Sequence, residues 1–168
     1  IKIVAWEKDI TLYLLEAYGF EYEVVGKNYR SLTKKAYGMF NSTIKSLKIA
    51  KEFKPDILLA GSPSLAHVSK LIGKPHIDFI DTENANLANM LTFPFSDAVC
   101  TPSCFKKKIS FTRHIKYNGY MELAYLHPNY FKPDPSVLDE LGIDKNDKYI
   151  ILRLSLIHIS EPTRPRLI

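Results

Sequence analysis

The segment Asp81-Thr82-Glu83 carries two carboxylates on either side of a hydroxyl group, directly after the apolar run that ends at Ile80. Neighbouring carboxylates can hold different pKa values and thereby divide the acid and base roles of one reaction. We therefore predict that Asp81 and Glu83 are catalytic residues and that Thr82 binds substrate. The alternative is structural: Asp81 or Thr82 caps the following helix, and Glu83 lies in its first turn.

A turn of small residues, from Gly61 through Ser62 to Ser64, leads into a helical pattern. The N–H groups and the dipole at the start of a helix attract anions, so we predict that this turn binds phosphate. It is not a Walker A loop, because no Gly-Lys-Ser/Thr follows it. His67 is predicted to bind phosphate or to act as an acid/base in catalysis. The alternatives are a plain serine-capped turn and a packed, hydrogen-bonded histidine.

Thr101 and Ser103 follow a further apolar run and extend the predicted substrate-binding set. They are expected to open a short helix over 103–106, where capping of that helix is the alternative use of their hydroxyl groups. The three lysines at 106–108 are then expected to be the solvated end of this helix.

The turn Asn118-Gly119-Tyr120 is predicted to be a hinge at the mouth of the binding cleft, and Glu122 follows it. Glycine permits a sharp turn, and a tyrosine ring can stack on a base or a sugar. All four residues are therefore predicted to bind substrate. A packed aromatic residue in a linker is the alternative for Tyr120.

These polar turns share one position, because each follows a short apolar run and precedes a helical pattern. Apolar runs that end near Ala60, Ile80 and Thr101 alternate with helix-like stretches. This alternation is typical of βα units and a parallel sheet. Ligands of such sheets bind beyond the carboxyl ends of the strands, so the polar turns are expected to line one edge.

The predicted fold class is α/β, a Rossmann-like parallel sheet with flanking helices. Strands are predicted over residues 1–6, 22–25, 56–60, 76–80, 98–101, 115–117 and 148–153. Helices are predicted over 10–18 with Asp9 as the cap, then from about 34 to 53, and over 64–72, 84–91, 103–106, 122–126 and 136–141.

Composition narrows the class of protein. The 168 residues are 46% hydrophobic and 24% charged, which is ordinary for a globular domain, and no apolar run approaches the roughly 18 residues of a membrane span. The net charge of +5 suits an anionic ligand such as a nucleotide or a phospholipid headgroup. Cys100 and Cys104 lack the further ligands of a zinc site, so we predict reduced thiols and no metal.

Several motifs, placed in order along the chain, resemble a known family. They are GSP (61–63), AHVSKL (66–71), DTE (81–83), LTFPF (91–95), TPSCF (101–105), YNGY (117–120), ELAYLHP (122–128) and FKPD (131–134). Together they resemble domain-of-unknown-function family 354, which is mostly archaeal, and the match extends over residues 1–153. Members of this family are similar to glycosyltransferases of the B fold and to UDP-N-acetylglucosamine 2-epimerases.

The resemblance implies an enzyme that acts on a nucleotide-activated sugar. Its implied function is glycosyl transfer from a nucleotide-sugar donor, with UDP-sugar expected, to a lipid-phosphate or glycan acceptor. One alternative is an epimerase acting on a sugar nucleotide, although the Glu-Ala-Gly-Leu-Arg pattern of epimerases is absent. A second alternative is a non-catalytic module that binds a nucleotide or a polyanion.

The resemblance also implies how the chain is organised. Residues 1–118 are expected to form the amino-terminal domain of a B-type fold, 119–147 an interdomain linker with a helix, and 148–154 the first strand of a second domain. Family members begin with one more strand, which lies between the strands at 1–6 and 56–60. Residues 155–168 resemble the translation of a sequencing adapter and are expected to be non-native. We therefore expect an inactive fragment of a longer enzyme.

Basic residues suggest a further partner. In glycosyltransferases of the B fold the amino-terminal domain often meets a lipid-phosphate acceptor, which implies a cytoplasmic protein with peripheral membrane contact. The expected contact residues are Lys27, Tyr29, Arg30, Lys34, Lys35 and Tyr37, and an ordinary solvated surface is the alternative. Specific nucleic-acid binding is not expected, because the lysines are scattered over several elements.

Overall fold

Two parallel β-sheets with flanking helices make up the part of the chain that the computed structural model describes, residues 1–8, 10–29, 31–144 and 146–150. The strands are β1 (Ile3–Glu7), β2 (Tyr22–Lys27), β3 (Leu58–Leu59), β4 (His76–Phe79), β5 (Ala98–Pro102) and β6 (Arg113–Tyr117). The helices are α1 (Thr11–Ala17), α2 (Leu32–Phe53), α3 (Pro63–Ile72), α4 (Asn86–Thr92), α5 (Leu123–Leu126) and α6 (Ser136–Glu140), with a 3-10 turn at Phe93–Phe95. The predicted α/β class is confirmed.

The chain divides into two units, residues 1–126 and the segment from His127 onward. The first unit holds both sheets and helices α1 to α5, and the second holds α6. Among the described residues, no helix combines the length and the apolar character needed to cross a bilayer.

The strands form two separate sheets, and β1 and β3 are not paired with each other. β1 pairs with β2, the other four strands pair in the order β3-β4-β5-β6, and every pair is parallel. An open cavity of about 650 Å³ is lined by residues of β1, β3 and α2. β3 is an edge strand of its sheet and is only two residues long, although five were predicted.

Helix α2 packs closely on α3 because its inner face carries small residues at four-residue spacing, Gly38, Ser42, Ser46 and Ala50, all buried. The Ser42 hydroxyl donates a 3.0 Å hydrogen bond to Ser64 Oγ on α3. Local signals set the helix bounds. Ser31 Oγ caps α2 by accepting from the Lys34 N–H, and Gly73 ends α3 with a φ of 65°.

Two apolar clusters form the core of the first unit. Ala50, Leu58 and Val68 join α2, β3 and α3. The second cluster includes Val99 of β5 and is completed by Phe93, Phe105 and Ile109.

The helical turn predicted over 103–106 is reduced to a single turn, and no helix begins there. The chain turns at Ser103 and Cys104, and the Phe105 N–H bonds to the carbonyl of Pro102, three residues earlier. Phe105 then enters the core with 2% of its surface exposed, and the Lys106 N–H donates to Glu83. These tertiary contacts replace the i→i+4 bonds of a helix, and residues 103–112 form an irregular segment, the strap, that leads into β6.

Some of the predicted elements near the two ends of the chain lie outside the described residues. Residues 148–150 have no regular secondary structure, and the rest of the strand expected over 148–154 lies outside the described residues, as does the segment 155–168. Asp9, the expected cap of α1, is also outside them. The N-cap position of α1 is occupied by Ile10, which makes no side-chain capping bond.

Candidate functional site

Four turns that carry predicted site residues lie at one edge of the larger sheet. Gly61 follows β3, Asp81 follows β4, Ser103 follows β5 and Asn118 follows β6. Because the four strands are parallel, their carboxyl ends point the same way, and the turns meet at that edge as predicted.

The Asp81–Glu83 turn holds its two carboxylates in different surroundings. Asp81 and Thr82 are exposed, and the Thr82 hydroxyl donates to Asp81 Oδ1 at 2.9 Å. Glu83 is half-buried, and its Oε1 accepts the backbone N–H of Lys106 at 2.9 Å. The N-cap of α4 is Ala85, without a side-chain capping bond, so the capping alternative for Asp81 and Thr82 is wrong. Asp81 therefore presents the accessible carboxylate, and Glu83 secures the strap.

Tyr117 connects this turn to the next one along the edge. Burial raises the pKa of its hydroxyl, and the nearby charges of Asp81 and Glu122 raise it further, as do the thiolate forms of Cys100 and Cys104. The phenol thus lies within electrostatic reach of carboxylates from two turns. Sequence reasoning did not single out Tyr117, although it opens the YNGY motif.

The three residues predicted to bind phosphate at the turn before α3 are placed in different surroundings. A Cβ at Gly61 would lie 3.0 Å from the carbonyl oxygen of Phe79, a tight contact, so glycine favours the close approach of β4 here. Ser62 occupies the N-cap of α3, and its side chain makes no capping bond. Ser64, by contrast, is buried and hydrogen-bonded to Ser42, which places it between two helices.

His67, on α3, contacts α4 and the 3-10 turn that follows it. Its Nε2 lies 3.0 Å from the carbonyl oxygen of Leu91, and its ring meets the Phe95 ring edge-on with centroids 4.5 Å apart. In the described part of the chain, the structure does not join His67 to the Asp81–Glu83 turn. A catalytic or phosphate-binding role for His67 stays a prediction.

Of the two residues near the end of β5 that were predicted to bind substrate, Thr101 is buried and Ser103 is exposed. Thr101 is buried, and its Oγ1 lies 2.8 Å from His114 Nε2 on β6, so it holds two strands together. Burial lowers the pKa of His114, and the charge of Lys116 lowers it further, which favours a neutral ring. Ser103 is exposed at the edge, where its backbone N–H donates to the Tyr117 carbonyl at 2.8 Å.

The predicted hinge follows β6 and is open to solvent. Asn118, Tyr120 and Glu122 are all exposed, and the Tyr120 ring is therefore free for stacking. Gly119 has a φ of 153°, a conformation that residues with a Cβ rarely adopt. Glycine is thus required for this turn, as the sequence indicated.

Asp78 is a buried carboxylate that sequence reasoning missed. It has no exposed surface, and neither of its oxygens has a hydrogen-bond partner in the described structure. Burial raises the pKa of Asp78 from 3.8 to about 6. Two positions earlier on the same strand, burial lowers the pKa of His76 to about 4. Polar residues at alternate positions of an apolar strand were the available signal.

Comparison with known proteins gives the chain a family. The family described as "Protein of unknown function (DUF354)" matches residues 3–160. The chain belongs to this family. A relative of this DUF354 protein is the uncharacterized protein MJ0665 of Methanocaldococcus jannaschii, which is 26% identical over 148 residues. That match covers 83% of the chain and 43% of the relative, so the chain spans less than half of the relative's length. No solved structure matches the DUF354 chain.

The thiols and acids of the DUF354 chain do not assemble a metal site among the described residues, where no group of three candidate ligands occurs. Both cysteines are free thiols, Cys100 buried and Cys104 exposed at the candidate site. Burial raises the pKa of Cys100, and the charge of Asp78 adds to this effect. The Cys100 thiol therefore stays protonated at neutral pH.

Proposed function

We propose that the longer protein to which this chain corresponds transfers a sugar from a nucleotide-sugar donor, UDP-sugar in the first instance, to a hydroxyl or phosphate acceptor. The observation that carries this proposal is the exposed Asp81 carboxylate at the carboxyl end of β4, whose charge raises the pKa of Tyr117. An accessible carboxylate at this edge of a parallel sheet can reach a bound substrate.

In the proposed reaction an acceptor oxygen attacks the anomeric carbon of the donor sugar. The bond from that carbon to the diphosphate breaks, the nucleoside diphosphate leaves, and Asp81 takes the proton of an acceptor hydroxyl. Glu83 holds the turn through the Lys106 N–H, which positions Asp81. The exposed Tyr120 ring and the Ser103 hydroxyl supply stacking and hydrogen bonds to the substrate.

The turn before α3 supports donor binding. The Ser62 hydroxyl is not used as a helix cap, so it and the N–H groups of the first turn of α3 are available to an oxygen of the diphosphate. Contacts to the rest of the nucleotide belong to the proposed second domain. A full-length protein is therefore the right material for an activity test.

The test is product analysis with the full-length protein and radiolabelled UDP-sugars, with and without lipid-phosphate and glycan acceptors. Transfer requires an acceptor and releases UDP, whereas epimerisation converts the donor alone. Binding of UDP-sugar without either product would instead favour a non-catalytic module.

The residue assignment is tested with Asp81→Ala, and with Glu52→Ala, an exposed carboxylate on α2, as the matched control. Loss of one general base is expected to lower kcat about 10²- to 10⁴-fold, while Glu52→Ala leaves it unchanged. Unchanged turnover in Asp81→Ala would show that the catalytic assignment is wrong.

A further inference from the structure

The strap of residues 103–112 and helix α4 line a second pocket. This open pocket has a volume of about 270 Å³. Its lining comprises Asn86, Asn89, Met90, Phe93, Pro94, Lys107, Lys108, Ile109 and Phe111. Phe93 and Ile109 form a buried apolar floor, whereas lysine and large apolar side chains share the rim.

Two large apolar side chains on this rim are open to solvent. Phe111 is 76% exposed and Met90 is 72% exposed, although both border the same pocket. Each belongs to a different segment, Phe111 to the strap and Met90 to α4. Large apolar side chains that share one exposed rim form a patch, and patches of this kind mark surfaces that meet a membrane or another molecule.

The same rim carries uncompensated positive charge. Lys106, Lys107 and Lys108 are all exposed, and none of them makes an ion pair with a carboxylate in the described part of the chain. The Lys107 ammonium donates to the neutral Asn86 Oδ1 at 2.6 Å. Glu83, the carboxylate that touches the strap, accepts from the backbone N–H of Lys106 and not from its side chain. The lysine charges are therefore available to an anionic partner.

We propose that the strap surface, defined by Met90, Lys107, Lys108 and Phe111, docks on the surface of an anionic lipid bilayer. Surfaces that lie in the membrane interface combine basic residues, which attract anionic headgroups, with apolar side chains that enter the acyl boundary. Phe111 and Met90 supply the apolar part, and the pocket beneath them offers space for an acyl chain.

A nucleic acid fits this surface less well. The lysines would meet its phosphates, but Phe111 and Met90 would gain little from a duplex backbone. The strap surface also differs from the lysine-rich segment at 27–37 that the sequence suggested. The inference goes beyond the proposed sugar transfer, because vesicle binding is measured whether or not any transfer is found.

The experiment is co-sedimentation of the 168-residue chain with vesicles of phosphatidylcholine alone and with 30% phosphatidylglycerol. Binding to the anionic vesicles is expected, and it should weaken as salt is raised. Lys107→Gln/Lys108→Gln should lower the partition coefficient about 25-fold, since each lysine near such a surface contributes about fivefold. Lys45→Gln/Lys48→Gln, an exposed pair on α2 with the same loss of charge, should bind like the parent protein.

The apolar part is tested with Phe111→Ser, which should weaken binding to anionic vesicles even at fixed charge. Phe40→Ser is the matched control, because Phe40 is also largely exposed but lies on α2. Far-UV circular dichroism confirms that each variant is folded.

Three results would overturn the inference. They are equal binding to neutral and anionic vesicles, equal loss in the strap and α2 variants, and lysine-dependent binding to single-stranded RNA without binding to vesicles.

Discussion

The unpartnered carboxylate of Asp78 gives the sharpest test of the structure, through the substitution Asp78→Asn. Burial raises the pKa of Asp78 from 3.8 to about 6, so the folded protein disfavours its ionised form. A difference of about two pKa units corresponds to about 3 kcal/mol at neutral pH. Removing the charge is therefore expected to increase the free energy of unfolding by at most about 3 kcal/mol at pH 7.

Asp78 and His76 make the free energy of unfolding depend on pH in opposite directions. The folded state binds the Asp78 proton more tightly than the unfolded state, so this residue lowers stability progressively as the pH rises from about 4 to about 6. His76 acts in the opposite direction. Burial lowers its pKa from 6.5 to about 4, so its contribution to stability is lost as the pH falls through that range, by about 3 kcal/mol in all.

In the parent protein these two effects nearly cancel between pH 4 and pH 6, because they are opposite in sign and similar in size. Asp78→Asn leaves His76 uncompensated. We expect the variant to lose stability by about 1.4 kcal/mol per pH unit as the pH falls from 6 towards 4, relative to the parent.

The assay is urea unfolding, followed by circular dichroism at pH values from 4.5 to 7.5. Asp139→Asn, which removes one exposed carboxylate from α6, is the matched control and should be as stable as the parent at pH 7. The reasoning is refuted if Asp78→Asn is no more stable than the parent at pH 7 and has the same dependence on pH. That outcome would mean that the Asp78 carboxylate is hydrated or paired in solution.

Three further substitutions, measured by thermal or urea unfolding, test a close backbone approach, a buried hydrogen bond and a hydrogen-bonded carboxylate. Gly61→Ala should cost about 1–3 kcal/mol, because its Cβ would lie 3.0 Å from the Phe79 carbonyl, and an unchanged stability would argue against that close approach. Ser42→Ala removes the 3.0 Å bond to Ser64 and should cost about 1 kcal/mol, whereas no loss would mean that the bond is dispensable. The Lys70 ammonium and the His76 backbone N–H each donate to the Asp97 carboxylate at 2.9 Å. These bonds lower the pKa of Asp97, so Asp97→Asn should destabilise the protein at neutral pH. This loss should disappear as the pH falls below 3.8, and its persistence there would contradict the assignment.

Local signals were sufficient for most of the secondary structure. The helical pattern, with a serine cap at the start and a glycine at the end, placed α3 within one residue of its observed bounds. The apolar runs likewise placed β4 and β5 within a residue, because strand and helix periods are properties of neighbouring residues. The alternation of apolar runs with helical patterns predicted the parallel sheet, and hence the edge that gathers the polar turns.

Contacts between distant residues decided the exceptions. The strap replaced a predicted helix because Phe105 packs in the core and the Lys106 N–H bonds to Glu83, 23 positions away. Periodicity carries no information on such contacts, since it is read within a window of a few turns.

The candidate site shows the same division between what the sequence determines and what the tertiary structure decides. Sequence determined that Asp81, Thr82 and Glu83 follow a strand of a parallel sheet and so lie at its carboxyl edge. The tertiary structure decided which carboxylate is accessible, because a backbone N–H of the strap engages Glu83 and none engages Asp81 in the described part of the chain. It also brought Tyr117 to Asp81 from a separate strand. The accessibility and electrostatics of a group depend on every chain segment packed around it, and only the folded arrangement defines those neighbours.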